Sequence, residues 1–189
     1  MKWLAALCVV ALTGCATTTA PPSDQFARLS ALCGKAFEGR IVSPPVAADA
    51  SFSGQRLVMH VRNCTRDTIR IPFHVGDDRS RTWVITRTTT GLRLKHDHRH
   101  KDGSEDKVTQ YGGDSTVPGT ATRQEFLADA FTKALLIREG NPAGAKNVWA
   151  VEVADDTFAY ELRRPSRFFR VDFDLTKSVA APPAPWGQR

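Results

Sequence analysis

Hydrophobic and polar residues alternate along much of the chain, with the two-residue period of strands whose opposite faces meet different surroundings. The clearest case runs from Leu92 to His100, where the leucines and three histidines share one face and the other face is charged. The leucines indicate that their face is buried, so the charged face is predicted to be exposed to solvent. Similar alternation, interrupted by turn residues, predicts about nine strands. They span 37–42, 55–63, 68–75, 81–89, 92–100, 107–111, 147–154, 157–163 and 168–175.

Two segments have helical spacing instead. Apolar residues recur every three or four positions from Phe26 to Ala36, behind a Ser-Asp pair that can cap a helix. A second, short helix begins after Asp129 and ends near Gly140, which a proline soon follows. Both helices are therefore predicted to interrupt a chain made mainly of strands.

Many short strands joined by turns predict a mainly β fold, an antiparallel up-and-down barrel of about 8–10 strands, because closure into a barrel removes exposed sheet edges. A curved β-sandwich is the alternative. From about Leu29 to Leu175 the order of elements resembles the calycin group, which includes the lipocalins and fatty-acid-binding proteins. The resemblance implies a barrel that binds a small apolar or amphipathic molecule, and some members of that group are outer-membrane lipoproteins.

The N-terminus has the pattern of an export signal. Lys2 precedes an apolar run that is too short to span a bilayer. The run ends in Leu12-Thr13-Gly14-Cys15, which resembles the lipobox of bacterial lipoproteins and implies lipidation of Cys15. Ala16 in the next position resembles an outer-membrane address, and a cleaved leader without lipidation is the alternative. The predicted divisions are a signal peptide over 1–14, a lipidated tether over 15–23, a barrel domain over 24–175 and a disordered tail over 176–189.

Two cysteines, Cys33 and Cys64, remain in the predicted mature body. In an oxidising periplasm two such cysteines are expected to pair, and the bridge would fasten the first helix to the sheet. Two separately buried thiols are the alternative reading.

Composition limits the possible partners. A chain of 189 residues with 41% hydrophobic residues forms one domain with a real core. The net charge of +6 is spread over several segments, without an aromatic-interleaved basic cluster. We therefore predict no nucleic-acid partner and a membrane partner reached through the lipid anchor. Nothing in the pattern indicates an oligomeric state.

The histidine strand is the one candidate for metal chemistry. His96, His98 and His100 lie two residues apart, so an adjacent pair can converge on one zinc ion if another strand supplies a third ligand. The alternative is a polar rim on a charged hairpin, without a cofactor. No nucleophile elbow or phosphate-binding loop is present in the sequence.

Inward-facing aromatic residues are the candidate lining of a ligand pocket, or else simply core. We predict a non-catalytic envelope lipoprotein that binds a small apolar or amphipathic ligand. A metal-dependent site at the histidines and a structural lipoprotein without a pocket are the alternatives. The candidate lining residues are Trp83, Trp149, Phe158, Tyr160 and Phe169.

Overall fold

The computed structural model of the protein describes residues 25–188. Its helices are α1 (Gln25–Ala31), α2 (Ala130–Arg138) and the short 3₁₀ helices η1 (Ala47–Phe52) and η2 (Pro142–Lys146). Its strands are β1 (Ala36–Ile41), β2 (Leu57–His60), β3 (Asn63–Cys64), β4 (Thr68–Val75), β5 (Asp78–Thr88), β6 (Gly91–His98), β7 (Tyr111–Asp114), β8 (Arg123–Leu127), β9 (Val148–Val153), β10 (Thr157–Arg164) and β11 (Arg167–Val179).

The strands of the described region form one sheet in the order β7-β6-β5-β4-β2-β1-β11-β10-β9-β8, with β3 beside β4. Every pairing is antiparallel, and β1 pairs with β11. The sheet therefore curls into a nearly closed barrel in which neighbours along the chain are neighbours in space. The predicted mainly β fold, the antiparallel barrel, the N-terminal helix and the short helix before the last strands are confirmed. The described region has eleven strands because the predicted strand 55–63 is divided into β2 and β3, and the short β8 has no strong alternating pattern.

The barrel closes without a hydrogen-bonded ladder between β7 and β8, and α2 bridges the gap. Thr132 Oγ1 accepts from Gly112 N and donates to Gly112 O, both at 2.8 Å, and Asp129 N donates to Gly112 O at 3.0 Å. A methyl group on Gly113 would overlap the carbonyl of Leu127, so glycine is required where β7 approaches β8. Lys95 Nζ lies 2.6 Å from Asp129 Oδ2 and adds an ion pair across this junction of β7 and β8, here called the seam.

One hydrophobic cluster fills the barrel and receives α1 at one end. Phe26 and Leu29 are buried, and the Gln25 amide donates to Val151 O at 2.6 Å. The helix ends at Ala31, shortly before Gly34, which the sequence marks as an interruption or stop and which adopts a positive φ. Ala36, the last apolar residue of the helical pattern, already pairs with His60 in β2.

The predicted disulfide is confirmed, since Cys33 and Cys64 are bonded. The bridge joins the turn after α1 to β3, so it ties the N-terminal segment to the sheet. Pro72 lies within β4, between the residues that pair with β2 and those that pair with β3. Its missing N–H therefore costs no ladder hydrogen bond there.

Two segments differ from the sequence prediction. Residues 101–110 form a loop after β6, and the return strand β7 begins only at Tyr111. β11 continues to Val179, past the predicted domain end at Leu175, because Val179 and Ser178 pair with the start of β1. Residues 180–188 then run along the outer wall, where Trp186 N donates to Arg79 O at 3.1 Å.

Candidate functional site

His96 lies inside the barrel and is 2% exposed. Its Nδ1 is 3.0 Å from Tyr111 O and its Nε2 is 2.7 Å from the Tyr160 hydroxyl. Burial lowers the pKa of His96 to about 3, so the ring is neutral near pH 7. A carbonyl can only accept, so Nδ1 carries the proton and Nε2 accepts from the Tyr160 O–H. Both ring nitrogens of His96 therefore have protein partners.

His98 and His100 have different surroundings. The Tyr111 hydroxyl is 3.2 Å from His98 Nε2, and burial followed by the charge of Arg81 lowers the pKa of His98 to about 4. Burial raises the pKa of Tyr111 to about 12, so this tyrosine is neutral as well. His100 is exposed beyond the end of β6, 3.8 Å from Asp106 Oδ2.

The three histidines do not converge on one point. Within residues 25–188, no group of three or more His, Cys, Asp or Glu side chains is placed to hold a metal ion. In this structure His96 and His98 belong to a hydrogen-bonded network with Tyr111 and Tyr160.

The five aromatic residues predicted to line a pocket belong to the buried cluster. Trp83 stacks between Tyr160 and Phe73, with ring centroids 4.4 and 4.8 Å away, and Tyr160 contacts Phe169 edge to face at 6.5 Å. Trp149 and Phe158 are 1% and 0% exposed. None of the five lines the cavities described below. In this structure they pack against one another across the barrel.

A cavity of about 700 Å³ lies instead under the loop that carries η1, at the barrel surface. Its volume is in the range of small-molecule sites. Phe52 anchors this loop, since its ring lies 5.2 Å from Phe169 and 6.2 Å from Phe73. The apolar part of the lining includes Ile41, Pro45, Val46, Ala50, Phe52 and Leu57.

Two buried oxygens of this η1 cavity lack a hydrogen-bond partner among the described residues. They are Ser43 Oγ and Asp49 Oδ2, on residues that are 8% and 5% exposed. The other carboxylate oxygen of Asp49 accepts from Arg167, which neutralises the charge. Buried polar atoms are normally paired, so an apolar cavity with two unpaired oxygens is suited to a ligand that supplies a donor.

Sequence reasoning missed both Ser43 and Asp49. They lie in a Pro/Ala/Ser loop whose composition predicts only a connection between strands. The one signal was Phe52, a large aromatic residue in a segment otherwise made of small and polar side chains. A residue of this size needs apolar partners, which could have indicated that the loop folds back onto the barrel.

The outer wall of the barrel is less exposed to solvent than the alternation predicts. Asp97 is 3% exposed because Arg70 and Arg99 both bond to its carboxylate, Arg99 Nε at 2.9 Å. The prediction that this whole face of β6 is solvated is therefore wrong at Asp97.

A second carboxylate is enclosed on the wall of β10. Burial alone would raise the pKa of Glu161, but hydrogen bonds from Arg123 and Arg170 outweigh it and lower the pKa. Charged groups on this wall are therefore used to pair strands.

No protein-family model matches the chain, and neither a curated protein nor a solved structure is significantly similar to it. Neither α1 nor α2 has the length and apolar run that a helix needs to cross a bilayer. The predicted lipidation site, Cys15, lies outside the described residues.

Proposed function

We propose that this protein is a non-catalytic binding protein that holds a small amphipathic molecule in the η1 cavity. The observation that carries the proposal is the combination of an apolar lining with the unpaired oxygens of Ser43 and Asp49. Apolar pockets with a few fixed polar groups are typical of small-molecule sites. The ligand site therefore lies beside the barrel wall, and the packed aromatic interior serves as its support.

The chemistry of the cavity selects the ligand class. Asp49 Oδ2 can only accept a hydrogen bond while the carboxylate is ionised, and Ser43 Oγ can accept or donate. A hydroxyl, amine or amide N–H on an apolar body satisfies both requirements.

The cellular setting we propose is the cell envelope, with the chain attached at Cys15 to the periplasmic face of the outer membrane. The lipobox-like sequence supports the anchor. The disulfide between Cys33 and Cys64 supports an oxidising compartment, where such bonds persist. A lipocalin-like body on a lipid tether would keep the η1 cavity close to membrane-derived molecules.

The binding test uses N-phenyl-naphthylamine, a neutral apolar probe with one N–H donor whose fluorescence rises on binding. Val46, 43% exposed and part of the cavity lining, is changed to tryptophan to fill the site. Val117→Trp is the matched control, since Val117 is 59% exposed and outside the cavity. We expect saturable binding to the native chain and the control and its loss in Val46→Trp. No saturable binding, or binding that survives in Val46→Trp, would contradict the proposal.

The anchor has its own test. Cells that express the chain are labelled with a fatty acid and fractionated. We expect label on the native protein in the outer-membrane fraction, and neither label nor membrane retention for Cys15→Ser. Equal fractionation of both proteins would refute the anchor without bearing on the η1 cavity.

A further inference from the structure

A second cavity, of about 1020 Å³, lies between the barrel and the C-terminal segment 180–188, here called the tail. The tail is held at its far end, where Arg79 Nη1 donates to Ala184 O at 3.2 Å and Arg79 O accepts from Trp186 N. It therefore crosses the outer wall of β2, β4 and β5 as a strap and encloses a space against them.

The wall under the strap consists of positions that alternation places outside the barrel. Val58 and His74 are paired neighbours on β2 and β4, and the residues on either side of each belong to the core cluster. Both are nevertheless buried, at 3% and 4% exposed. Val58 and His74 line the tail cavity together with Ala181, Pro182 and Pro183 of the strap. The cavity thus has an apolar roof and a partly polar floor.

Two buried nitrogens that belong to the lining lack a hydrogen-bond partner among residues 25–188. They are Nε2 of His74 and Nε1 of Trp186. An indole N–H can only donate, so whatever pairs with Trp186 must supply an acceptor. Burial and then the charge of Arg79 lower the pKa of His74 to about 4, so its imidazole is neutral near pH 7. Trp186 Nε1 is therefore a buried donor without an acceptor, on a residue of the cavity lining.

The charges around the cavity point to the same class of ligand. Its lining includes Arg56, Arg79 and Lys101 against two acids, Asp77 and Asp78.

One of those acids is already engaged. Asp78 accepts from Arg81 and from Ser80 N, the latter at 2.9 Å. Arg56 is engaged too, since its Nε donates to Glu38 Oε2 at 2.8 Å. Arg79 and Lys101 then remain against Asp77, and this positive balance favours an anion.

We propose that the tail cavity binds a small organic carboxylate, whose oxygens accept from Trp186 Nε1 and face Arg79 and Lys101 while its apolar body lies under the prolines of the tail. This site is separate from the η1 cavity. It selects a headgroup that accepts hydrogen bonds, whereas the η1 cavity selects one that donates them. The proposal therefore stands whether or not the η1 cavity binds an amphipathic donor.

The test titrates the full chain with hexanoate, with hexylammonium and hexanol as probes of the same apolar length. Isotope-edited NMR follows the indole N–H of Trp186, assigned with Trp186→Phe, and calorimetry gives the dissociation constants. We expect saturable hexanoate binding that moves this resonance, and weaker or no binding of the other two probes. Equal binding of hexylammonium, or no saturable binding of hexanoate, would overturn the proposal.

Three variants assign the site. Trp186→Phe keeps an aromatic ring but removes the donor, and should weaken hexanoate binding by about tenfold or more, as expected for a hydrogen bond to a charged group. Lys101→Gln, at an exposed position that leaves the fold intact, should also weaken it. Val46→Trp fills the η1 cavity and should leave hexanoate binding unchanged. Unchanged binding in both Trp186→Phe and Lys101→Gln, or loss in Val46→Trp, would place the carboxylate elsewhere.

Discussion

Acid should destabilise this barrel through His96, whose imidazole is enclosed as the neutral form. Its two ring nitrogens are used by Tyr111 O and the Tyr160 hydroxyl, and burial lowers its pKa from 6.5 to about 3. In the unfolded chain the ring binds a proton below about pH 6.5, whereas the folded protein excludes that proton until about pH 3. The unfolded state binds more protons across this window, so stability falls as the pH falls.

The size of the effect follows from linkage. Each pH unit between the two pKa values is worth about 1.4 kcal/mol for one group. The unfolded pKa is about 6.5, so about one and a half pH units separate it from pH 5. Lowering the pH from 7 to 5 should therefore reduce the free energy of unfolding by roughly 2 kcal/mol through His96 alone. His74 and His98, with pKa values lowered to about 4, act in the same direction.

The assay is reversible urea unfolding of the native chain and His96→Gln at both pH values. At pH 7 the variant should be less stable, because Tyr160 and Tyr111 lose a buried partner. At pH 5 the difference between the two proteins should be smaller by about 2 kcal/mol. Ile85→Val is the control, because Ile85 is buried on the neighbouring strand β5 and the change involves no titrating group. Its loss of stability relative to the native chain should be the same at both pH values. If the difference for His96→Gln is also independent of pH, the reasoning is refuted.

Three further changes test other parts of the fold by urea unfolding at pH 7. Replacing Cys33 and Cys64 by alanine should cost roughly 3 to 4 kcal/mol, since the bridge closes a loop of 31 residues, and reduction of the native protein should match that loss. Gly113→Ala places a methyl against the backbone of β8 and should cost at least about 1 to 3 kcal/mol. Amide hydrogen exchange should also become faster at the seam, and unchanged exchange there would contradict the tight approach. Glu161→Gln removes two charge-assisted hydrogen bonds, but Arg123 keeps Glu152 and Arg170 keeps Asp172, so it should cost about 1 to 3 kcal/mol. Glu38→Gln, in an exposed ion pair, should change stability by less than about 1 kcal/mol.

The strands that were predicted well are those with one buried face. On β10, Phe158 and Tyr160 face the core cluster, and on β11 Phe169, Val171 and Phe173 do the same. Such alternation is a local property of the chain, because each strand has the same two surroundings along its length. The barrel itself followed from the number of such strands.

The seam could not be predicted, because nothing in β7 or β8 alternates strongly. β7 is short and contains two adjacent glycines, and β8 carries one large core residue, Phe126. Their meeting depends on Thr132, which binds Gly112 from a separate helix. A contact made by a side chain twenty residues away leaves no period in the sequence.

Burial on the outer wall was missed for a related reason. Alternation places Val58, His74 and Asp97 outside the barrel, and all three do lie there. The tail lies over Val58 and His74, and Arg70 of β4, together with the neighbouring Arg99, encloses Asp97. Period-two patterns predict which side of a sheet a residue occupies. Whether that side is buried depends on tertiary contacts, which the pattern does not contain.

The two candidate sites share a design that the packed interior explains. The inward side chains of the barrel contact one another, so both proposed sites use its outer surface. The η1 loop lies over β1 and β2, and the tail lies over β2, β4 and β5. In each case a segment without strand structure supplies one wall and the rigid sheet supplies the other. Changes in residues 43–55 or 180–188 can therefore alter what is bound without repacking the core, as is usual for functional loops on a stable scaffold.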